Sequence, residues 1–177
     1  TGNCHKWMCT PKGSAFLHVR RDRQPLLRPL ALSHGANSLR TDRSRFRLEF
    51  DFTGTDDPTP FLCIPEAIAF FETIVPGGWE EVRSRNRSLA LRGRAILQEA
   101  VGIPAPSPEE MVGSLAAVPL PPREDGLDLP PMSQDPVAKH LFEAYRIEAL
   151  VSVWPRSPGR VLRASAQLYN DESQFET

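Results

Sequence analysis

The sequence predicts an α/β protein, because helix-like segments alternate with strand-like runs along its 177 residues. Two stretches, Pro58 to Ile74 and Trp79 to Ala100, carry apolar residues at helical spacing. Two others, Arg45 to Phe52 and Arg160 to Gln167, alternate polar and apolar residues, which is typical of a half-buried strand. We therefore expect helices that pack on small sheets.

Composition indicates a globular chain without a strong electrostatic preference. Hydrophobic residues make up 40% and charged residues 24% of the chain, and the net charge is -1. This balance gives no general attraction to nucleic acid or to an anionic membrane. The sequence also has no long apolar span and no basic-then-apolar leader after Thr1. We predict neither a nucleic-acid nor a membrane partner, and a cytoplasmic location.

The cysteines do not predict a disulfide framework or a metal centre. They are three in number, Cys4, Cys9 and Cys63, and no two have CxxC spacing. Cys4, His5 and Cys9 lack a second cluster that would complete four metal ligands. A metal-binding or nucleic-acid-binding module, supported only by these residues and by runs of arginine, is therefore disfavoured.

The first segment places a lysine ahead of an apolar run. Lys6 lies in a short polar turn, and the residues from Ser14 to Val19 predict a buried strand. A lysine beside a buried strand can lose its water shell, which makes its amine a competent nucleophile. On spacing alone, a solvated surface lysine is the favoured interpretation.

A strand, a turn and a helix are predicted next. Leu30 to Ser33 is a further short strand that ends at His34, before the longer strand from Arg45 to Phe52. The Thr53 to Thr55 turn offers a flexible backbone and hydroxyl donors, which suit a phosphate oxygen. The same turn can simply lead into a helix that Asp57 caps.

Proline and glycine divide the following helices. Pro65 is expected to kink the helix that ends near Ile74, and Pro76 to Gly78 is the clearest break in the chain. The helix from Trp79 to Ala100 directs its apolar residues inward. We expect its five arginines to form a solvated face: Arg83, Arg85, Arg87, Arg92 and Arg94.

The last third predicts a small sheet with one helix. Strands are expected at 111–118, 149–154 and 160–167, with a proline-rich loop at 119–131 and a helix that begins at Asp135. In the last strand the alternation places one set of side chains inward, Leu162, Ala164 and Ala166, and the other set outward, Arg163, Ser165 and Gln167.

The run from Asn3 to Trp7, followed by Pro11-Lys12-Gly13, resembles the cofactor-lysine segment of the class V aminotransferase family of pyridoxal-phosphate enzymes. The similarity is greatest to the isopenicillin N epimerase-like branch. The resemblance implies that Lys6 is the catalytic lysine, which forms an aldimine with pyridoxal 5'-phosphate. It also implies that His5 and Asn3 hold the cofactor phosphate.

Three further positions match the family. The resemblance implies that Gly54 and Thr55 contact the cofactor phosphate of a neighbouring subunit, so the protein is expected to be a homodimer. His34 resembles a residue at the mouth of the active site that touches substrate, although a histidine that caps a turn is an equal alternative. Arg163, in a run that continues to Tyr169-Asn170, matches the arginine that binds the α-carboxylate of the amino-acid substrate through its planar fork.

The resemblance implies the C-terminal part of a fold-type I transferase. Residues 1–76 are expected to end a large parallel-sheet domain that binds pyridoxal phosphate, 77–101 to form a connecting helix, and 102–177 to form a truncated small domain. In the family, the aspartate that pairs with the pyridine nitrogen precedes the lysine. We therefore expect the isolated chain to be an inactive fragment.

Within the family, racemisation or epimerisation at the α-carbon is the predicted reaction. A β-lyase activity like that of cysteine desulfhydrase stays open, as does a non-catalytic fragment. Sulfur-carrier chemistry is disfavoured, because the reactive cysteine of desulfurases lies in the small domain and no cysteine follows Cys63 here.

Overall fold

Helices and short strands alternate in the computed structural model, which describes residues 1–123 and 133–177. The α/β character predicted from the sequence is therefore confirmed. Both sheets among the described residues are antiparallel, so the parallel sheet implied by the resemblance is not found there. Two compact units, Thr1–Phe71 and Glu72–Thr177, divide the chain.

The first unit is built of short elements. Strands β1 and β2 pair antiparallel, and single-turn helices of the 3-10 type stand between β2 and the longer α2. The elements are β1 (Gly2–Asn3), α1 (Cys4–Trp7), β2 (Ala15–Phe16), the 3-10 helices Gln24–Leu26 and His34–Asn37, α2 (Arg45–Phe50), α3 (Thr59–Leu62) and α4 (Ile64–Thr73).

The strand predicted from Arg45 to Phe52 is wrong, because these residues form helix α2. The Ser44 hydroxyl caps the helix by accepting a hydrogen bond from the amide of Arg47, at 3.3 Å. Phe46 and Phe50, four residues apart, stack one turn apart with ring centroids at 4.5 Å. In so short a run, apolar residues at even positions also satisfy the helical spacing of four.

Two other strand predictions in this unit need correction. The strand expected from Ser14 to Val19 is reduced to Ala15–Phe16, and both of its residues are exposed. Leu30 to Ser33 forms no strand, and Leu30 is fully exposed. An apolar run predicts a buried strand, but no larger sheet covers either of these segments among the described residues.

The helix predicted to end near Ile74 is divided at Cys63 into α3 and α4. Pro65 occupies the second position of α4, where its missing amide proton removes no helical hydrogen bond. The kink expected at this proline is therefore a complete break between two helices.

The second unit places one long helix on a three-stranded sheet. Helix α5 (Gly78–Val101) ends at Gly102, whose φ of 68° is the left-handed conformation common after helices. The sheet has the order β3-β5-β4, all antiparallel, and α5 covers one face of it. The remaining elements are β3 (Leu115–Leu120), α6 (Pro136–Tyr145), β4 (Leu150–Val153), β5 (Arg160–Ser165) and α7 (Ser173–Glu176).

The core of this unit lies between α5 and the sheet. Leu89 and Ala90 from the helix meet Ala116 of β3 and Ala164 of β5, and all four are buried. Small residues on the strands let the helix approach the sheet closely. The strand expected at 111–118 begins later, at Leu115, because residues 109–111 form a 3-10 turn. It also ends later, at Leu120, so Pro119 belongs to the strand. Residues 124–131 of the predicted loop lie outside the described residues.

One of the five arginines predicted to be solvated is buried. Arg94 is 4% exposed and donates a hydrogen bond to the carbonyl of Ser107, at 3.0 Å. Arg87 is half-buried and donates to the carbonyls of Val112 and Glu109. These two side chains tie α5 to the segment before β3, so the charge pattern alone overestimated the solvated face.

Helix α6 begins where the sequence predicted. Asp135 caps it by accepting a hydrogen bond from the amide of Val137, at 2.9 Å. The same carboxylate accepts two hydrogen bonds from Arg160 of β5, at 3.0 and 3.1 Å. Because both side chains are largely buried, this ion pair fixes the start of α6 to the sheet.

Among the described residues, no single helix is long and apolar enough to span a bilayer. Thr59–Thr73 and Gly78–Val101 reach that length and composition only as a pair, which is bent by 77°.

Candidate functional site

Lys6 is presented on a one-turn helix. α1 spans Cys4–Trp7, and Lys6 is exposed within it. The sequence placed the lysine next to a buried strand, but β2 is itself exposed. The expected loss of water around the amine is therefore wrong for this unit, and the amine is open to solvent.

The carbonyl oxygen of Ser14 organises the turn that carries Lys6. It accepts hydrogen bonds from the amide of Cys4, at 3.1 Å, and from the amide of His5, at 3.4 Å. The ring of His5 also donates from Nδ1 to the same oxygen, at 2.8 Å. Because a carbonyl can only accept, Nδ1 carries a hydrogen, and the other ring nitrogen, Nε2, can donate to an anion only when it carries a hydrogen as well.

Two buried hydroxyl groups support that carbonyl. The side chains of Thr10 and Ser14 are hydrogen-bonded to each other, and Ser14 Oγ lies 3.0 Å from the carbonyl of Pro11. Ser14 is fully buried and Thr10 is 7% exposed. Sequence reasoning missed both residues. The Thr-Pro-x-Gly-Ser run that holds them was treated only as a family motif.

Backbone geometry shapes the loop between the lysine helix and β2. Cys9 follows α1 with a φ of 53°, a left-handed conformation that is uncommon for a residue with a side chain. Gly13 has a φ of 97°, and a Cβ added there would meet Pro60 of α3 at 3.6 Å. The lysine loop therefore approaches the helix that follows the Gly54 and Thr55 turn.

Asn3 stands directly before α1. It pairs with Ala15 across the β1–β2 ladder, and its side chain makes no capping hydrogen bond to α1. Asn3, His5 and Lys6 thus lie together on consecutive elements. The proximity that the sequence order predicts for these three residues is present in the structure.

Gly54 and Thr55 lie on the exposed loop after α2. The φ of Gly54 is 143°, a backbone conformation that favours glycine, and no atom lies within 4 Å of the position where its Cβ would stand. Asp57 accepts hydrogen bonds from the hydroxyl of Thr59, at 2.5 Å, and from its amide, at 2.9 Å. These bonds hold the pKa of Asp57 below its usual value of 3.8. The cap predicted at Asp57 is not found: α3 begins at Thr59, Pro58 is its N-cap residue, and no side chain caps the helix.

His34 is exposed at the start of a 3-10 helix that is anchored to α2. Gly35 lies against the backbone of Leu48 so closely that a Cβ would clash. Arg45 donates hydrogen bonds to the carbonyls of Gly35, Ala36 and Ser38. The anchor was missed because α2 was expected to be a strand.

A buried carboxylate completes this anchor. Glu49 is 2% exposed, forms a hydrogen-bonded ion pair with Arg28, and lies 3.8 Å from Arg45. Arg28 itself is largely exposed, with 65% of its side chain accessible. The segment that carries His34 is therefore held by one buried negative charge between two arginines.

Arg163 lies in the second unit, on the face of the sheet opposite α5. It pairs with Ala117 of β3 and Leu150 of β4, and its side chain is exposed. The predicted inward set of Leu162, Ala164 and Ala166 is buried. The outward position predicted for Gln167 is wrong. Gln167 is 5% exposed and accepts a hydrogen bond from Asn86 of α5, at 2.8 Å. The reason is that β5 ends at Ser165 and the alternation stops there.

Sequence similarity identifies the class of protein. No protein-family profile matches the chain. Curated proteins do match it, and they confirm the predicted resemblance to the class V aminotransferase family. The relatives are isopenicillin N epimerases and L-cysteine desulfhydrase-like proteins.

The isopenicillin N epimerase of Streptomyces clavuligerus is 33% identical over 189 residues, and that of Amycolatopsis lactamdurans is 33% identical over 187 residues. Each alignment covers 99% of this chain and 44% of the relative. A putative L-cysteine desulfhydrase 1 of Oryza sativa subsp. japonica is 35% identical over 124 residues, which cover 68% of this chain and 24% of the relative. The chain thus spans less than half the length of the curated relatives that it matches.

The residues around Lys6 fit the cofactor of this family. An exposed primary amine suits the aldehyde of pyridoxal phosphate, and the nitrogen Nε2 of His5 is not used by the fold. Gly54 contributes an amide in an open, glycine-specific conformation. A primary amine is the group that reacts with an aldehyde, and imidazole and backbone amide groups are suited to a phosphate.

Proposed function

We propose that this chain supplies the cofactor lysine and the substrate arginine of a pyridoxal-phosphate enzyme that acts at the α-carbon of an amino acid. Epimerisation is the proposed reaction. The observation that carries the proposal is the exposed Lys6 beside a half-buried His5 on a hydrogen-bonded turn, in a chain aligned over 99% of its length with two isopenicillin N epimerases.

Each residue has a defined task. Lys6 would hold the cofactor through its aldehyde, and the Nζ amine, released when the substrate amine takes its place on that aldehyde, would move the α-proton of the substrate. Arg163 binds the α-carboxylate with two parallel hydrogen bonds, which fix the orientation of the α-carbon. His34 touches the substrate at the entrance. When bound, pyridoxal phosphate supplies the electron sink that stabilises negative charge at the α-carbon.

The cofactor phosphate would be held by residues of two subunits. His5 and Asn3 would contact it in one subunit, and Gly54 and Thr55 would contact it from a second subunit, so we propose a homodimer. A glycine amide and a threonine hydroxyl on an exposed loop are suitable donors for such a contact. Cytoplasmic location, with neither membrane nor nucleic acid as a partner, belongs to the same proposal.

A β-lyase is the second candidate, favoured by the 35% identity with a putative L-cysteine desulfhydrase. The two reactions share removal of the α-proton by Lys6. They differ afterwards: return of the proton to the opposite face gives epimerisation, whereas expulsion of a β-substituent gives a lyase. We propose that the chain by itself catalyses neither, because its lysine amine is open to water.

The test is chemical trapping. The chain has three lysines, Lys6, Lys12 and Lys139, so incubation with pyridoxal phosphate, reduction with borohydride and peptide mapping can assign every adduct. We expect Lys6 to be modified in preference to the exposed Lys139, which serves as the internal control. Equal labelling of all three lysines, or labelling of Lys12 alone, would contradict the assignment.

A further inference from the structure

Thr10 and Ser14, to which the family resemblance gives no role, lie directly behind His5 and Lys6. We propose that Thr10 and Ser14 are positioning residues: their buried hydroxyl pair fixes the Ser14 carbonyl, and this carbonyl sets the ring of His5 and the turn of Lys6. The inference deepens the proposed function, because it concerns how the cofactor-binding residues are held.

Three donors meet at one oxygen. The Ser14 carbonyl accepts two backbone amides and the Nδ1 hydrogen of His5. A carbonyl has two lone pairs, so a third donor is accommodated only if the oxygen stays in one place. A small movement of Ser14 would therefore release the most mobile of the three donors. The ring of His5, which turns freely about its side-chain bonds, is that donor.

The buried hydroxyl pair prevents such movement. Thr10 and Ser14 bond to each other, and Ser14 Oγ donates onward to the carbonyl of Pro11. The amide of Thr10 in turn donates to the carbonyl of Cys4, at 3.5 Å. The loop is thus closed on α1 from both ends. Removing the Thr10 hydroxyl would leave Ser14 Oγ with the Pro11 carbonyl alone, and removing the Ser14 hydroxyl would leave the buried Thr10 hydroxyl without this partner, so either change loosens the loop.

The hydrogen bond to Ser14 selects the Nδ1–H form of the His5 ring. With Nδ1–H held by Ser14, the ring of His5 has one orientation, and Nε2 can reach the cofactor phosphate as a donor whenever it also carries a hydrogen. If the ring were released, both neutral tautomers would be populated and the direction of Nε2 would no longer be fixed. Thr10 and Ser14 therefore act through His5 and do not themselves touch the cofactor.

The first measurement needs no cofactor. Ring 15N chemical shifts of the four histidines report the tautomer of each. We expect His5 to be the Nδ1–H form in the unchanged chain. Thr10→Val, which keeps the shape and removes the hydroxyl, should lower the ratio of the Nδ1–H to the Nε2–H form about tenfold. Thr10→Ser restores the hydroxyl and should restore the ratio.

Controls separate positioning from general damage. Ser84→Ala removes an exposed hydroxyl on α5 and should leave His5 unchanged. If Thr10→Val does not fold, Ser14→Ala gives the same comparison from the other side of the pair. A folded hydroxyl-free variant that keeps the His5 tautomer would overturn the proposal, and so would a Thr10→Ser chain that behaves like Thr10→Val.

A second measurement links the pair to the cofactor. Borohydride trapping should give a ratio of Lys6 to Lys139 adducts about tenfold lower in Thr10→Val than in the unchanged chain. If the unchanged chain shows no preference for Lys6, the proposed function fails, while the tautomer result still decides whether Thr10 and Ser14 position His5. An unchanged trapping ratio together with an unchanged tautomer would overturn the positioning role itself.

Discussion

The two units of this protein are stabilised in different ways. In Glu72–Thr177, a layer of buried apolar residues lies between α5 and the sheet. In Thr1–Phe71, most of the buried side chains that hold the loops are polar, namely Thr10, Ser14 and Glu49, while large apolar residues stay exposed: Phe16, Leu17, Leu26, Leu27, Leu30, Leu32, Leu39, Phe52, Phe61, Leu62, Ile68 and Phe70. The difference teaches that the turn of His5 and Lys6 is held by hydrogen bonds and the segment of His34 by hydrogen bonds and an ion pair, not by an apolar core.

The largest effect is expected from removing a core leucine in the second unit. Leu89 is 7% exposed in α5, so Leu89→Ala should lower the free energy of unfolding by about 3 kcal/mol, from lost burial and the cavity left behind. Leu30, which is fully exposed in the first unit, provides the matched control, and Leu30→Ala should cost less than about 0.5 kcal/mol.

Urea unfolding measured by circular dichroism gives both values, and amide hydrogen exchange assigns them to a unit. The comparison would be broken if Leu30→Ala were as destabilising as Leu89→Ala. That result would mean that the first unit buries its leucines in solution.

An intermediate effect is expected from the buried carboxylate of the first unit. Glu49→Gln keeps the shape but removes the charge that Arg28 and Arg45 share, so it should destabilise this unit by about 1–2 kcal/mol. The cost is below that of a fully buried ion pair because Arg28 is largely exposed. Faster hydrogen exchange at the amide of Gly35 is the expected local signature.

Asp51→Asn is the control, since Asp51 and Arg43 form a longer, exposed pair in the same region, at 3.4 Å. It should change the stability by less than about 0.5 kcal/mol. Equal effects of the two substitutions would show that Glu49 is no more important to this unit than a surface charge.

The smallest effect concerns acid pH and the loop that carries Thr55. Hydrogen bonds from Thr59 lower the pKa of Asp57 in the folded chain. Because the folded pKa lies below the usual value, the contribution of these hydrogen bonds is fully present above about pH 4 and is lost as the pH falls through the lowered value. The amide resonance of Thr59 should therefore move as the pH falls below about 4.

Asp57→Asn retains the acceptor and removes the titration, so its Thr59 resonance should stay constant over that range. A shift of equal size in this variant would assign the change to another group.

Several elements were predictable because their signals are local. Asp135-Pro136 predicted the start of α6, and Pro76-Gly77-Gly78 predicted the break before α5. The buried face of β5 followed from Leu162, Ala164 and Ala166. The strand predicted at Arg45 to Phe52 failed, because the Ser44 cap and the contact between Phe46 and Phe50 favour a helix over a run of only six residues.

The candidate site was predictable only in part. The order of Asn3, His5 and Lys6 along the chain places them together on adjacent elements, so their proximity follows from sequence. The exposure of Lys6 did not follow, since it depends on what covers β2. Thr10 and Ser14 were also missed, because a hydroxyl in a turn gives no sign of whether it will be buried.

The sequence by itself determined the family, the cofactor lysine motif and the long helix α5, because these depend on residue identity, spacing and caps. Only the tertiary structure decided which polar groups are buried: Ser14 behind His5, Glu49 between two arginines, and Arg94 inside the second unit. The reason is physical. Burial of a polar group is tolerated only when distant residues supply its hydrogen-bond partners, and those partners meet only when the chain has folded.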